Sequence, residues 1–296
     1  MKALVTGYSG FLGRHLVKIL KNKGWQLYFS NTSQGNLMCD KNLHIYNSIK
    51  FDYIFHLAAH TKAGDYCLHH KGEQFEINQR INSNILKYWN DQQPQAKMIA
   101  MGTSCSYSPE FPLTEDNYLK GDPDEGLYTY AMTKRMLLVG LRSYAEQYGL
   151  KWLYFIPSTL YGPDFEEGDN HFIFDFIKNC YQAKYNNKKF IVWGDGTARR
   201  ELIYVEDACH TIINLLGQNN EIFNLGAGED HSINDFAEYV CEAFDYNPTL
   251  IEHDLDKYVG VKSKLLDISK TSSLNLLRPL RDGLQRTINW YREKLK

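Results

Sequence analysis

Residues 2–14 read Lys2-Ala3-Leu4-Val5-Thr6-Gly7-Tyr8-Ser9-Gly10-Phe11-Leu12-Gly13-Arg14 (KALVTGYSGFLGR). The apolar run Lys2 to Val5 ends too soon for a helix and has the composition of a buried strand. From Phe11 to Lys21 apolar residues recur at helical spacing. Between the two lie glycines three apart, at 7, 10 and 13. Such glycines permit a tight turn and let backbone N–H groups approach a pyrophosphate, which the N-terminus of the following helix then stabilises. The stretch predicts a dinucleotide loop made by Gly7, Tyr8, Ser9, Gly10, Phe11, Leu12 and Gly13. It sets the fold class as α/β, a doubly wound parallel sheet of Rossmann type.

The following segments repeat the pattern. Strand-like runs at Gln26 to Phe29, Tyr53 to Ala59, Met98 to Met101 and Trp152 to Ile156 alternate with helical stretches at Phe75 to Trp89 and Tyr128 to Glu146. Alternation of this kind implies βαβ units. Residues 1–162 are therefore expected to form a dinucleotide-binding domain, with a return segment at about 198–226. Residues 163–197 and 227–296, less regular and with acidic and Asn-rich loops, are expected to form a smaller substrate lobe.

Composition excludes several classes. With 33 Lys and Arg against 35 Asp and Glu, the chain carries no field of one sign suited to nucleic acid or an anionic membrane. A small-molecule partner is expected. No apolar run approaches the ~18 residues of a membrane helix, and MKALVTGYSG has no leader-like pattern, so the expected compartment is the cytoplasm. Six dispersed cysteines without a CxxC pair argue against a metal site and for reduced thiols.

Two further stretches carry chemistry. Tyr130 and Lys134 stand four apart, on one face of a helix. An ammonium beside a phenol favours the phenolate and makes the tyrosine a general acid or base. Gly102-Thr103-Ser104-Cys105-Ser106-Tyr107 (GTSCSY) follows the strand Met98 to Met101 and puts hydroxyls and a thiol at its carboxyl end, where open α/β sheets bind ligands. After the second strand, Ser30-Asn31-Thr32-Ser33 holds no carboxylate before Asp40 to oppose a ribose 2′-phosphate. Asn31, Ser33 and Arg14 are the expected contacts, and the reading favours NADP(H) over NAD(H).

TGxxGxxG followed about a hundred residues on by YxxxK resembles the extended short-chain dehydrogenases. Further stretches carry a closer resemblance, to the GDP-L-fucose synthases: GTSCSY, EDNYLKG (115–121), PSTLYGP (157–163), His171 opening HFIFDFI, VWGDGTARRELIYVED (192–207), NLGAG (224–228) and KLLD (264–267). They run in the family's order across nearly the whole chain. The resemblance implies NADPH-dependent epimerisation at C3 and C5 of a GDP-4-keto-6-deoxyhexose, then reduction at C4. It gives Thr103 the substrate carbonyl, Cys105 the role of base, His171 that of acid, and Tyr130 with Lys134 the proton for reduction. A thiol with a reference pKa near 8.5 and an imidazole near 6.5 suit the first two tasks. It also implies cofactor contacts at Pro157 and Leu160, substrate contacts at Lys178, Trp193 and Arg200, no metal, and a homodimer through Phe75 to Trp89 and Tyr130 to Glu146.

The chain departs from the family in three places. Where a basic residue usually faces the nucleotide late in the His171 helix, Lys178 is followed by Asn179. Val259 or Gly260 replaces an acidic residue before KLLD, and the basic residues common after the second strand are missing. Two alternatives stay open: a C4 ketoreductase acting on a related GDP-4-keto-6-deoxy sugar or heptose, and a catalytically idle NADP-binding regulatory protein.

Overall fold

The computed structural model describes all residues except 32–34, 62–64, 167–168, 170, 258, 275 and 296; the Ser33 expectation lies outside the described residues. Six parallel strands form the central sheet: β1 (Lys2–Thr6), β2 (Gln26–Ser30), β3 (Tyr53–His56), β4 (Lys97–Met101), β5 (Trp152–Pro157) and, far along the chain, β10 (Glu221–Leu225). Their spatial order is β10-β5-β4-β3-β1-β2. The chain runs outward from β1 to β2, then returns to place β3 on the other side of β1. A crevice opens at that reversal, beyond the carboxyl ends of β1 and β3.

Each strand is apolar on both faces, because helices cover both. Side chains alternate between two cores. Leu4, Ile54, Met98, Ala100, Trp152 and Tyr154 meet Ile85, Leu86 and Trp89 of α3 (Lys71–Gln92) and Leu137, Leu138 and Leu141 of α4 (Tyr128–Tyr148). On the opposite face, Ala3, Val5, Phe55, Ile99 and Phe155 meet Leu16 and Leu20 of α1 (Phe11–Asn22) and Ala208 and Ile212 of α6 (Val205–Asn214). One short helix, α2 (Asp65–His69), precedes α3. The sequence pattern alone starts α3 at Phe75 and carries β3 to Ala59. The helix begins a turn earlier, at Lys71, and the strand stops at His56, since Leu57 to His60 leave the sheet to wall the crevice.

A second apolar cluster lies outside the sheet. It joins Phe174, Ile177 and Cys180 of α5 (Phe172–Asn186), Phe236, Val240 and Phe244 of α7 (Ile233–Phe244), and Leu284 and Ile288 of α8 (Leu280–Lys294). Two-stranded pairings knit the remaining strands. β6 (Thr159–Tyr161) pairs with β9 (Leu202–Tyr204), β7 (Phe190–Trp193) with β12 (Ile251–Asp254), and β8 (Arg199–Arg200) antiparallel with β11 (His231–Ser232). Phe11 at the start of α1 packs edge-on against Phe174 in the first turn of α5, with ring centroids 5.4 Å apart. The outer cluster is thereby held against the mouth of the crevice. No described helix is long and apolar enough to cross a membrane.

Candidate active site

The nucleotide loop sits at the sheet reversal. Gly7 has φ +68°, and a Cβ there would stand 2.6 Å from the backbone nitrogen of Ala58. A Cβ at Gly13 would stand 2.3 Å from the Gly7 carbonyl oxygen. Both glycines are therefore required by the turn itself. Gly10 differs: its Cβ would meet only that same oxygen, at 3.4 Å, an ordinary contact. What Gly10 leaves clear is the approach to the N-terminus of α1, which has no side-chain cap and no acidic residue in its first turn. Uncapped N–H groups facing an open approach suit a pyrophosphate. Asn31, just past β2, donates to the Tyr8 hydroxyl at 3.2 Å and closes the loop's outer side.

Arg14 requires a correction. Instead of standing open to a 2′-phosphate, its guanidinium donates to the carbonyls of Ser9 (2.6 Å) and Asp164 (2.7 Å) and pairs with Asp169 and Glu166, each at 3.2 Å. Three of these four partners come from the acidic stretch after PSTLYGP. His15 makes a parallel contact, its Nε2 3.0 Å from the Pro163 carbonyl. Both side chains fasten the segment leading to His171 onto the start of α1.

The GTSCSY segment is held from several sides. Gly102 lies so close to the rings of Tyr118 and Tyr154 that a Cβ would stand 2.6–2.7 Å from them. Thr103 donates its N–H to the Tyr118 hydroxyl (3.4 Å), while its own hydroxyl accepts from the Cys105 N–H (3.3 Å). The Ser106 hydroxyl donates to the carbonyl of Ala131, next to Tyr130, at 3.0 Å. The Arg135 guanidinium donates to the Ser106 carbonyl at 2.8 Å. The exit of β4 is thus locked to the first turns of α4. Cys105 and Tyr130 are brought near enough that negative charge on the thiol would oppose ionisation of the phenol.

The titration of Tyr130 runs opposite to the sequence expectation. Burial raises its pKa, and a hydrogen bond from Thr61 only partly opposes this. Lys134 does not offset it, because its ammonium donates instead to the Met101 carbonyl at 2.9 Å. Burial lowers Lys134 to about 8. Tyr130 therefore holds its proton firmly, the state a proton donor needs.

Beneath this pair runs a buried relay of hydrogen bonds. Asn82 of α3 donates its amide to the Thr133 carbonyl at 3.2 Å, so its oxygen accepts from His56 Nε2, also at 3.2 Å. Nδ1 of His56 is then the acceptor for the Thr6 hydroxyl at 3.0 Å. Burial takes His56 down to about 4, which keeps the ring neutral as this arrangement requires. The end of β1 and the catalytic turn of α4 are coupled through these four residues. No motif in the sequence marks His56 or Asn82.

His171 immediately precedes α5, one turn before the Phe174 that packs on Phe11. Its side chain is exposed, yet desolvation by the atoms around it lowers its pKa; Asp169 and Asp175 pull the other way. Pro157 ends β5, paired with Leu225, and Leu160 lies in β6 and packs on the core under α1 and α6. Lys178 pairs with Asp175 at 3.5 Å and stands over the ring of Phe165, itself packed against Trp290 and Tyr291 of α8. Those contacts lie on the α8 side of the lobe. Trp193 is 57% exposed with Lys257 over its ring. The Arg200 guanidinium donates to the carbonyls of Val259 (2.6 Å) and Val261 (2.8 Å).

The segment held by Arg200 leads back to the thiol. Arg199 N–H bonds the Lys262 carbonyl at 2.8 Å, and two residues on, Lys264 Nζ donates to Cys105 Sγ at 3.4 Å. Residues 259–264 therefore span from Arg200 to Cys105. Among the described residues no group of three or more His, Cys, Asp or Glu could hold a metal ion. The donors gathered here suit proton transfer at a carbon beside a carbonyl and protonation of that carbonyl's oxygen.

Known proteins resemble this chain over most of its length. Residues 3–226 fit the model of the NAD dependent epimerase/dehydratase family. A GDP-L-colitose synthase of Yersinia pseudotuberculosis is 28% identical over 98% of this chain and 98% of its own. A GDP-L-fucose synthase of Dictyostelium discoideum is 29% identical over 97% of this chain and 94% of its own. Among solved structures, a GDP-L-fucose synthetase from Naegleria fowleri bound to NADP superposes with a TM-score of 0.87 at 26% identity, covering 99% of this chain and 94% of that one.

Proposed function

We propose a function from one premise: this chain belongs to the NAD dependent epimerase/dehydratase family. The reading is an NADPH-dependent 3,5-epimerase and 4-ketoreductase that converts a GDP-4-keto-6-deoxyhexose to a GDP-L-fucose-type sugar. The observation that carries it is Cys105 beside Tyr130 at the exit of β4: a thiol suited to carbon acid chemistry next to a phenol that retains its proton. The names of the relatives support the substrate class.

A ketone at C4 acidifies the hydrogens on C3 and C5. Cys105 takes a proton from one face of the carbon and His171 returns one to the other, through an enolate whose oxygen Thr103 and Tyr130 bind. When bound, NADPH supplies the hydride that reduces C4. Tyr130 gives its proton to the C4 oxygen, and the Lys134 ammonium, one turn behind, supports the phenolate left on Tyr130. The loop from Gly7 to Gly13 holds the pyrophosphate, and the lack of a carboxylate directly after β2 favours the 2′-phosphate form. Trp193 and Arg200, in the lobe we assign to residues 163–197 and 227–296, take the nucleotide diphosphate.

The assembly we favour is a homodimer through α3 and α4, where Phe75, Met136 and Val139 are exposed. Sedimentation showing only monomer at micromolar concentration rejects that dimer. Six free cysteines suit a reducing compartment such as the cytoplasm.

The test of the reaction is incubation with GDP-4-keto-6-deoxymannose and NADPH in deuterated water. Deuterium is expected at both C3 and C5 of a fucose-configured product, and is expected to disappear in Cys105→Ser and His171→Gln. NADPH oxidation without deuterium rejects the epimerase and leaves a reductase.

A further inference from the structure

The contact between Lys264 and Cys105 joins residues 159 apart in sequence. Three anchors fix the backbone that carries it. The Leu266 N–H bonds Glu201 Oε2 at 3.1 Å, the Asp267 N–H bonds the Leu113 carbonyl at 3.1 Å, and the Asn224 amide bonds the Asp267 carbonyl at 2.8 Å. Glu201 is 2% exposed, and its other oxygen accepts from the Gly228 N–H at 2.8 Å. No Cβ fits at Gly226, where it would stand 2.3 Å from Glu201 Oε1. The stretches NLGAG and KLLD are thus clamped around one buried carboxylate. Lys264 leaves this clamp aimed at the sulfur.

We propose that Lys264 is a catalytic residue of the epimerisation: its ammonium holds the negative charge on Cys105 Sγ before the sulfur takes a proton from the sugar carbon. This rests on the reading of Cys105 as the base. Sulfur is a weak hydrogen-bond acceptor as a thiol and a strong one as a thiolate, so a fixed ammonium donor favours the reactive form. When the proton moves from carbon to sulfur, the thiolate becomes a thiol and the carbon's electron pair passes to the enolate. The ammonium keeps its own proton throughout. Glu201 is a positioning residue, acting through the backbone that presents Lys264.

The test separates this role from a contact with substrate phosphate. Iodoacetamide alkylation of Cys105 is followed by peptide mass at pH 7.5 without substrate, in wild type, Lys264→Met and Lys264→Arg. The thiolate is the attacking species, so Lys264→Met is expected to slow alkylation about ten- to a hundredfold, the range of a hydrogen bond to a charged group. Lys264→Arg is expected to recover most of the rate. Lys264→Met is expected to slow deuterium entry at C3 and C5 by a similar factor. Unchanged alkylation in Lys264→Met, with NADPH binding intact to show the fold, overturns the proposal. Deuterium entry that persists in Cys105→Ser overturns the reading of Cys105 as base instead, and the two failures are read in different variants.

Discussion

Tyr130→Phe is expected to slow reduction of the 4-keto sugar by about 10²- to 10⁴-fold, the range of a lost general acid, while deuterium continues to enter C3 and C5. The phenol hydroxyl meets Thr61, which is exposed, so its removal leaves no buried group without a partner and the fold is expected to stand. The ring stays, and with it the packing of the first turn of α4. What disappears is the proton held on the oxygen by burial. Thiol alkylation at Cys105 provides the control, since it needs the loop geometry but not the hydroxyl.

The mirror variant separates the steps. Cys105→Ser is expected to stop exchange at C3 and C5 yet leave Tyr130 and Lys134 able to serve a ketone that needs no epimerisation. If Tyr130→Phe reduces at the wild-type rate, the assignment of the proton donor is wrong. If exchange stops along with reduction, Thr103 cannot hold the enolate oxygen once the Tyr130 hydroxyl is gone. Product analysis by mass and NMR, with NADPH oxidation followed in parallel, distinguishes these results.

How much of this could be read from the chain depended on distance along it. The strand, loop and helix of residues 2–22 and the Tyr130 and Lys134 pair are local patterns, and the structure places them as local patterns require. The contact of Lys264 with Cys105 is not local. KLLD stood out as a motif, but nothing in its spacing says that its lysine meets a thiol beyond β4. Only the fold shows Glu201 buried under two loops, where desolvation raises its pKa to about 7. Arg14 misled for the same reason. Its neighbour in sequence is the nucleotide loop, but its charge partners, Asp169 and Glu166, arrive from the segment after β6. The signal that could have found them was the run of acidic residues at 164–169, which needs cations nearby.

Gly10→Ala and Gly13→Ala are expected to fail in different ways, and the contrast tests the loop more sharply than either alone. At Gly13 the new methyl stands 2.3 Å from the Gly7 oxygen and 2.7 Å from Tyr8 Cα, all backbone, so nothing can rotate aside. Unfolding by urea is expected to show a loss of about 3 kcal/mol, at the upper end of overpacking, and NADPH affinity falls because the turn has moved. At Gly10 the backbone, with φ −72° and ψ 169°, is open to any residue, and the methyl meets only one atom at 3.4 Å. Stability without ligand is expected to stay within about 1 kcal/mol of wild type. NADPH affinity is nevertheless expected to drop about ten- to a hundredfold, because the methyl takes up the space through which the phosphates reach the N–H groups of α1. Wild-type affinity in Gly10→Ala would mean that this glycine keeps nothing open, and that the pyrophosphate is held elsewhere in the crevice.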